Sequence, residues 1–224
     1  MRNKVPTILI TGANRGIGLA LTKKYAAKNH NVIAICRTNS EELKNTNAKI
    51  ITNIDITNIK SIQTLITMLK NINIDILINN AGQWCNDSIE DMNFDNIQAN
   101  FLINAIGTLR IITSLKSNFT ERSKIIIITS KMASITENIS GGRYGYRMSK
   151  AALNAAGKSL SIDFKQDNIP VVMIHPGWVK TAMGGPNALI STEESAAHIL
   201  KVIEKIKLSD SGNFYNYDGS SIKW

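Results

Sequence analysis

Short apolar runs alternate with longer amphipathic segments along most of the chain. The runs are rich in Ile and Val and are mostly apolar at successive positions, which is typical of parallel strands covered on both faces. They predict six strands, at residues 7–10, 31–35, 48–53, 75–79, 124–129 and 170–174. The amphipathic segments predict helices near residues 16–28, 59–69, 94–117, 144–167 and 192–206. This alternation predicts an α/β fold, a doubly wound parallel sheet with helices on both faces.

Composition narrows the class of protein. No repeat, linker or charge block divides the chain, so we expect residues 1–224 to form one domain. The net charge is +9, but the lysines are scattered without a basic run or an aromatic platform, and we expect no nucleic-acid binding. No stretch has the apolar length of a membrane span, and residues 1–6 lack the apolar core of a signal peptide. We therefore expect a cytoplasmic protein.

Cysteine usage agrees with this expectation. Cys36 and Cys85 are the only two cysteines, which fits a reducing compartment and excludes a disulfide scaffold. Neither has a histidine or a second cysteine at metal-ligand spacing, so no metal site is predicted.

A glycine-rich turn joins the first predicted strand to the first helix. Glycine permits a tight turn and close approach of the backbone there, while the helix N-terminus offers free amides to a pyrophosphate. A strand before the turn and a helix after it make dinucleotide binding the favoured interpretation. The cofactor contacts expected in the turn are Gly12, Asn14, Arg15, Gly16, Ile17 and Gly18.

Two basic residues favour the phosphorylated cofactor. In turns of this kind that bind NAD, an acidic residue near the end of the second strand accepts hydrogen bonds from the ribose hydroxyls. Here that strand is followed by Arg37, and Arg15 supplies a second base within the turn. Two guanidiniums suit a 2′-phosphate because each presents a planar fork of donors, whereas the alternative is that both are solvated surface residues. The sequence therefore predicts NADP (NADPH) and disfavours NAD.

Tyr146 and Lys150 lie one turn apart on one face of the fourth long helix. A nearby ammonium and the positive charge of an oxidised nicotinamide both favour the phenolate, so we expect a lowered tyrosine pKa. Such a tyrosine can give a proton to a forming alkoxide or take one from an alcohol. Tyr144 is two residues out of phase and is expected to pack or to line the pocket. The pair predicts hydride transfer between nicotinamide and a small carbonyl or alcohol substrate.

Together these motifs resemble those of the short-chain dehydrogenase/reductase family (classical type). The turn has the spacing Gly-x-x-x-Gly-x-Gly, the fourth strand ends in Asn79-Asn80-Ala81-Gly82, and the helix carries Tyr-x-Ser-Lys, in the order that the family has. The resemblance implies a Rossmann fold and an NADP(H)-dependent oxidoreductase in which Tyr146 is the acid/base and Lys150 binds the nicotinamide ribose. It also implies a homodimer or homotetramer that pairs through the helices carrying Asn104 and Tyr146.

The resemblance implies further cofactor contacts. Asp55 with Ile56, after the third strand, would reach the adenine ring, although a lone Asp there is also typical of a turn. The segment after the sixth strand would clamp the carboxamide of nicotinamide through its backbone, with Val179 and Thr181 in those roles. The other contacts implied by the family motifs are Asn80, Ala81, Gly82, Pro176 and Gly177.

The remaining catalytic positions each have a competitor. The family serine lies at the end of the fifth strand, which favours Ser130 for orienting the substrate oxygen and leaves Ser134 as the alternative. The resemblance assigns Asn104 to a proton relay through water and Lys150. An Asn on an apolar helix must hydrogen-bond a partner, and Asn100, one turn earlier, competes for that role. His175 is expected to be structural.

The sequence places the chain near one branch of the family. The His-Pro-Gly-Trp phrase and the short stretch after it resemble the C-factor-like and carbonyl-reductase-like members. An apolar substrate pocket is expected from Trp84, Met132, Trp178 and Met183. The C-factor resemblance also leaves a second hypothesis open, a non-enzymatic NADP-binding protein that signals or senses redox state.

Overall fold

Seven parallel strands form one sheet in the computed structural model, which describes residues 5–224. The strands are β1 Thr7–Thr11, β2 Asn31–Ile35, β3 Lys49–Ile51, β4 Ile76–Asn79, β5 Lys124–Ile128, β6 Val171–His175 and β7 Phe214–Asn216. Their order across the sheet is β3-β2-β1-β4-β5-β6-β7, so the chain crosses from one half of the sheet to the other between β3 and β4. The predicted doubly wound α/β fold is confirmed. Residues 1–4, part of the segment expected to lack a signal peptide, lie outside the described residues.

Helices cover both faces of the sheet. They are α1 Gly16–Ala27, α2 Glu41–Lys44, α3 Ile59–Met68, α4 Phe94–Phe101, α5 Thr108–Ser114, α6 Tyr144–Asp163 and α7 Thr192–Lys205. One core layer joins the sheet to α3, α5 and α6, and the other joins it to α1 and α7. Because both faces are buried, the strands carry continuous apolar runs instead of alternating ones. Within residues 5–224, no helix is long and apolar enough to cross a membrane.

The predicted helix over residues 94–117 is interrupted in the middle. Between α4 and α5 the backbone forms a π-helical turn, Leu102–Gly107, in which Asn104 is fully buried. The hydrophobic pattern could not show this turn, because its cause is tertiary. A Cβ at Gly107 would lie 2.8 Å from side-chain atoms of Ile56, so glycine allows the turn to pack closely against the loop after β3. Such turns are frequent at functional sites.

Two short elements were missed by the sequence analysis. The strand β7 has only three residues and is recognisable through its pairing with β6, Met173 opposite Phe214. The helix α2 is a single turn whose start is capped by Ser40, which accepts a hydrogen bond from the Leu43 amide. Neither is long enough to produce a periodic pattern.

Candidate active site

The glycine turn packs against the end of β4. Gly12 and Gly16 have φ of 65° and 54°, in the left-handed region that favours glycine. A Cβ at Gly12 would lie 2.9 Å from the Cα of Ala81, and one at Gly18 would overlap the carbonyl oxygen of Gly12. The Asn80 side chain closes this contact by donating to the carbonyl oxygens of Thr11, at 3.0 Å, and Gly12, at 3.1 Å. Gly18 therefore lies beneath the turn and shapes it.

A cavity of about 690 Å³ follows the carboxyl ends of the strands from β2 to β6. This edge is where ligands bind in open α/β sheets. Most of the predicted cofactor contacts line it: Gly12, Asn14, Arg15, Gly16, Ile17, Arg37, Asp55, Ile56, Asn80, Ala81, Gly82, Tyr146, Lys150, Pro176 and Thr181. Gly18, Gly177 and Val179 do not line it. Val179 is buried and bridges to Ile190, and Gly177 (φ 87°) packs against Ile190 and Tyr217.

Positive charge predominates along the cavity. Its charged lining comprises five basic and two acidic side chains, and the excess of positive charge favours an anionic ligand. They are Arg15, Lys23, Arg37, Lys150, Lys180, Asp55 and Glu193. Arg37 follows β2 whereas Lys150 contacts the end of β5, three strand positions away in the sheet order β2-β1-β4-β5. Three strand spacings correspond to about 14 Å, a separation suited to an extended ligand.

Tyr146 and Lys150 lie at one end of this cavity, one helical turn apart on α6 and both buried. The Lys150 Nζ donates to the carbonyl oxygen of Ile128 at 3.0 Å and lies 6.0 Å from the centre of the Tyr146 ring. The Ser130 hydroxyl, at the end of β5, is close enough to the Tyr146 hydroxyl to act on it by hydrogen bonding. The fold thus brings together a phenol, an ammonium and a serine hydroxyl.

The ionisation of this group differs from the sequence expectation. Burial raises the pKa of Tyr146, and the hydrogen bond from Ser130 only partly opposes this effect. Burial also lowers the pKa of Lys150 to about 8, since desolvation disfavours the ammonium. The expected lowering of the tyrosine pKa by Lys150 is therefore wrong for the protein by itself. The reason is that both groups lie in a desolvated position, which the sequence could not indicate.

Asn104 holds the segment after β4 in place. Its side chain accepts from the backbone amide of Gln83 at 2.7 Å and donates to the carbonyl oxygen of Gln83 at 2.8 Å. Its amide nitrogen also lies 3.0 Å from Ser149 Oγ and 3.3 Å from Asn100 Oδ1. A Cβ at Gly82 would lie 3.1 Å from Asn104 Oδ1 and 3.5 Å from Lys150 Nζ. Asn104 and Lys150 thus both adjoin Gly82, Asn100 contacts Asn104, and neither asparagine lines the cavity.

The two candidate serines have different surroundings. Ser130 Oγ accepts from the Met132 amide at 3.1 Å and adjoins Tyr146. Ser134 Oγ donates to the Trp224 carbonyl oxygen at 3.1 Å and accepts from the Glu137 amide at 3.1 Å. The geometry places Ser130, and not Ser134, beside the tyrosine.

Asp55 lines the cavity but also has a local partner. Its Oδ1 accepts from the amide of Thr57 at 2.8 Å and from the Thr57 hydroxyl at 2.7 Å. Burial raises the pKa of Asp55, but the Thr57 hydrogen bonds and the charge of Arg37 outweigh it, and the net pKa lies below its usual value. The side chain therefore forms the turn that sequence reasoning named as the alternative to adenine contact.

The four residues expected in a substrate pocket are dispersed around the site. Met183 lines the cavity, and the Trp84 ring packs against the Tyr146 ring with centroids 4.7 Å apart. Met132 contributes its amide to Ser130, while Trp178 is half-exposed and donates from Nε1 to the Gly184 carbonyl oxygen at 2.8 Å. Of the four, Trp84 therefore adjoins Tyr146, and Met183 lines the cavity.

Polar residues near the site include several that sequence reasoning did not select. The Thr11 hydroxyl accepts from the amides of Asn80 and Ala81, both at 3.1 Å, and so joins β1 to β4. The Thr129 hydroxyl lines the cavity and has no hydrogen-bond partner among the described residues. His175, which the sequence predicts to be structural, does not line the cavity. Burial and the charge of Lys131 lower its pKa to about 4, so it is neutral near pH 7. The position of each threonine at a strand end was the available signal.

The chain is similar to known dehydrogenases and to a protein called C-signal. The short chain dehydrogenase family profile matches residues 6–189. The C-signal protein of Myxococcus xanthus is 38% identical over 156 residues, which are 67% of this chain and 93% of that protein. The 1-hydroxy-2-glutathionyl-2-methyl-3-butene dehydrogenase of Rhodococcus sp. (strain AD45) is 31% identical over 224 residues, 97% of this chain and 99% of the relative.

A solved structure extends the similarity to three dimensions. The NADPH-bound carbonyl reductase from chicken fatty liver superposes with a TM-score of 0.90 at 29% sequence identity. The match covers 99% of this chain and 100% of that protein. The predicted similarity to C-factor-like and carbonyl-reductase-like proteins is confirmed.

Proposed function

The chain belongs to the short chain dehydrogenase family, and from this we propose that it is an NADP(H)-dependent oxidoreductase acting on a carbonyl or alcohol substrate. One observation carries the proposal. Tyr146, with Ser130 and Lys150 beside it, stands at the end of a basic cavity that runs along the carboxyl edge of the sheet. A similar carbonyl reductase is described as NADPH-bound, which supports the choice of cofactor.

The residues present fit a phosphorylated dinucleotide. At Gly12, Gly16 and Gly18 a Cβ would lie close to neighbouring atoms, so glycine keeps the turn compact. The first residues of α1, Gly16 and Ile17, line the cavity, and a helix N-terminus suits a pyrophosphate. Arg15 and Arg37 would hold the 2′-phosphate, while Lys150 would hold the nicotinamide ribose. Bound NADPH supplies a hydride to the carbonyl carbon.

The chain's own residues then handle the proton and the oxygen. Ser130 donates a hydrogen bond to the substrate oxygen and so stabilises the charge that develops there. Tyr146 gives its hydroxyl proton to that oxygen, and the high pKa that burial imposes keeps the hydroxyl protonated for this reduction. Lys150 favours the resulting phenolate, and Asn104 supports the lysine by fixing the adjacent backbone. Trp84 and Met183 border the substrate position.

A carbonyl screen tests this function. Purified protein is given NADPH and a panel of ketones and aldehydes, and oxidation of NADPH is followed by its absorbance. We expect turnover of at least one carbonyl by the wild-type protein and none above background by Tyr146→Phe. Turnover that is equal in the two proteins would contradict the assignment of Tyr146.

Replacing Arg37 by aspartate is expected to raise the KM for NADPH by about tenfold or more, because a charge-assisted contact to phosphate is lost and a repulsive charge is added. The KM for NADH should change far less, since NADH has no 2′-phosphate. Arg122→Asp is the matched control, because it makes the same charge change at a residue that is also exposed. Arg122 lies just before β5, at the amino ends of the strands and so away from the cavity. An unchanged KM for NADPH in Arg37→Asp would remove the argument for the phosphate.

Gly18→Ala is expected to weaken NADPH binding about tenfold and to lower the free energy of unfolding by about 1–3 kcal/mol. The added methyl group would overlap the Gly12 carbonyl oxygen and approach Asn80 Nδ2, so the turn must shift. Fluorescence titration with NADPH and urea unfolding measure the two effects. In Gly141→Ala no atom lies within 4 Å of the new Cβ, and NADPH affinity should not change. Equal affinities for both variants would show that the turn does not bind the cofactor.

A second function is favoured by one comparison. The relative from Myxococcus xanthus is called C-signal, a name that supports a role in signalling. For this chain we propose, as the alternative, that such a role would use NADP binding without turnover. The Tyr146→Phe protein distinguishes the two functions. A signalling role predicts full biological activity with no carbonyl turnover, whereas an enzymatic role predicts that both are lost.

A further inference from the structure

The helix that carries Tyr146 begins without a cap of its own. Arg143, the residue before α6, has a left-handed backbone (φ 54°, ψ 46°), and its side chain makes no capping hydrogen bond. The first backbone amides of a helix have no partner within the helix and need one from elsewhere. Tyr146 lies in this first turn, so whatever satisfies these amides also fixes the position of the phenol.

The segment that follows β4 supplies the missing partners. The Asp87 carbonyl oxygen accepts from the Arg143 amide at 2.7 Å, and the Asp87 carboxylate accepts from the Gly145 amide, with oxygens at 3.1 and 3.3 Å. The backbone amide of Tyr146 lies near the Cys85 thiol and acts to lower its pKa, against the larger effects of burial and Asp87. Negative charge at a helix N-terminus is stabilising, and here it lies on a side chain that is only 5% exposed.

Cys85 connects these contacts. Its thiol donates to Asp87 Oδ1 at 2.9 Å. Burial and the neighbouring Asp87 raise the pKa of this thiol to about 12, so it remains a donor at neutral pH. A Cβ at residue 145 would lie 2.8 Å from Cys85 Sγ and 2.9 Å from Ile97 Cγ1, so glycine allows the start of α6 to approach both residues closely.

The same segment touches the site at two further points. Trp84 packs on the Tyr146 ring, and both the backbone N–H and the backbone carbonyl of Gln83 hydrogen-bond to the Asn104 side chain. Residues 83–87 therefore form one connection from the Asn104 turn to the ring, the amide and the helix start of Tyr146. Among the described residues, the Gly145 amide donates to the Asp87 carboxylate alone.

We propose that Asp87 and Cys85 are positioning residues that cap α6 from outside and hold Tyr146 in its reactive place. This inference rests on the proposed function, in which Tyr146 is the proton donor. The two residues do not touch the substrate, and their effect on the reaction passes through the first turn of α6.

This role is tested by comparing variants that remove the polar side-chain atoms of Asp87 and Cys85 with variants that keep them. Asp87→Ala and Cys85→Ala should lower kcat by about 10- to 100-fold, since a displacement of about 1 Å at a reacting group is enough for such a loss. The Kd for NADPH should change by less than about twofold, because the turn and Lys150 are untouched. Asp87→Asn and Cys85→Ser keep an acceptor and a donor, and they should restore kcat to within about fivefold of wild type.

Asp91→Asn provides the control, since Asp91 is an exposed carboxyl on the same loop and its side chain makes no hydrogen bond to α6 within residues 5–224. It should leave kcat unchanged. The proposal would be overturned if kcat fell in proportion to the fraction of protein that binds NADPH and the conservative variants did not restore it. That result would mean that the two residues only maintain the fold. Unchanged kcat in both alanine variants would overturn it as well.

Amide hydrogen exchange separates this proposal from the proposed function. In Asp87→Ala, exchange at residues 143–147 should accelerate while α7 remains as protected as in wild type. This result can be read even where no carbonyl is turned over. If wild-type protein reduces no carbonyl, the proposed function fails; if exchange at residues 143–147 is unchanged in Asp87→Ala, the external cap fails.

Discussion

Replacing Tyr146 by phenylalanine is expected to lower kcat by about 10³-fold or more while NADPH still binds, because a positioned proton donor contributes about 10² to 10⁴ to the rate. The loss should fall at the upper end of this range. Tyr146 is buried, and the ammonium beside it is engaged with the Ile128 carbonyl oxygen. The hydroxyls that remain nearby, on Ser130 and Thr129, belong to aliphatic alcohols, which are far weaker acids than a phenol and so cannot replace it as the proton donor. Phenylalanine preserves the packing against Trp84.

The measurement is kcat and KM for the best carbonyl of the screen, together with NADPH titration. Tyr144→Phe is the matched control, since Tyr144 lies on the same helix, loses the same hydroxyl and is absent from the cavity lining. We expect that control to retain most of its turnover. Equal losses in the two variants would contradict the helical phase argument, and a large rise in NADPH Kd for Tyr146→Phe would mean that the phenol serves binding.

Ser130→Ala is expected to lower kcat by about 10²- to 10³-fold, which is the usual cost of removing one donor to a developing oxyanion. The serine also lowers the tyrosine pKa, so the variant should retain a phenol that ionises still less readily. In the oxidative direction, where a phenolate must take the proton, the loss should be larger at neutral pH and should diminish as the pH rises. NADPH affinity should be nearly unchanged, because Ser130 is not among the residues expected to contact the cofactor.

Ser134→Ala serves as the control for this experiment. Its hydroxyl bonds to Trp224 and Glu137, so the variant should lose stability by about 1 kcal/mol and keep its turnover. Steady-state assays at several pH values and urea unfolding distinguish the two serines. Loss of turnover in Ser134→Ala alone would reverse the choice between them.

Much of the fold could be predicted because the relevant interactions are local. The Ile-rich strands and the glycine turn have signals within ten or so residues, and the helix starts are marked by residues such as Ser191, which accepts from the Glu194 amide. β7 was missed because three residues carry no period. The π-helical turn was missed because its cause lies in Ile56 and Gln83, distant along the chain.

The candidate site divides in a similar way. The i,i+4 spacing predicts that Tyr146 and Lys150 share one face of α6, and the family resemblance predicts the serine at the end of β5. The pKa of Tyr146 could not be predicted, because burial, a property of the whole fold, outweighs the nearby ammonium. Asp87 and Gly145, which it caps, are 58 residues apart, and no local pattern marks the contacts of Asp87 and Cys85 with α6.

The π-helical turn at Leu102–Gly107 has a consequence for insertions and deletions. Such a turn accommodates one residue more than an α-helix of the same rise, because its hydrogen bonds span five residues instead of four. Deleting one residue there would let a regular α-helix run from Phe101 to Thr108, and the faces of α4 and α5 would keep their directions. We expect the deletion to shift Asn104, which lies within the turn, relative to Gln83, which it now contacts. Chain length at this turn therefore affects the site while the core packing on either side is conserved.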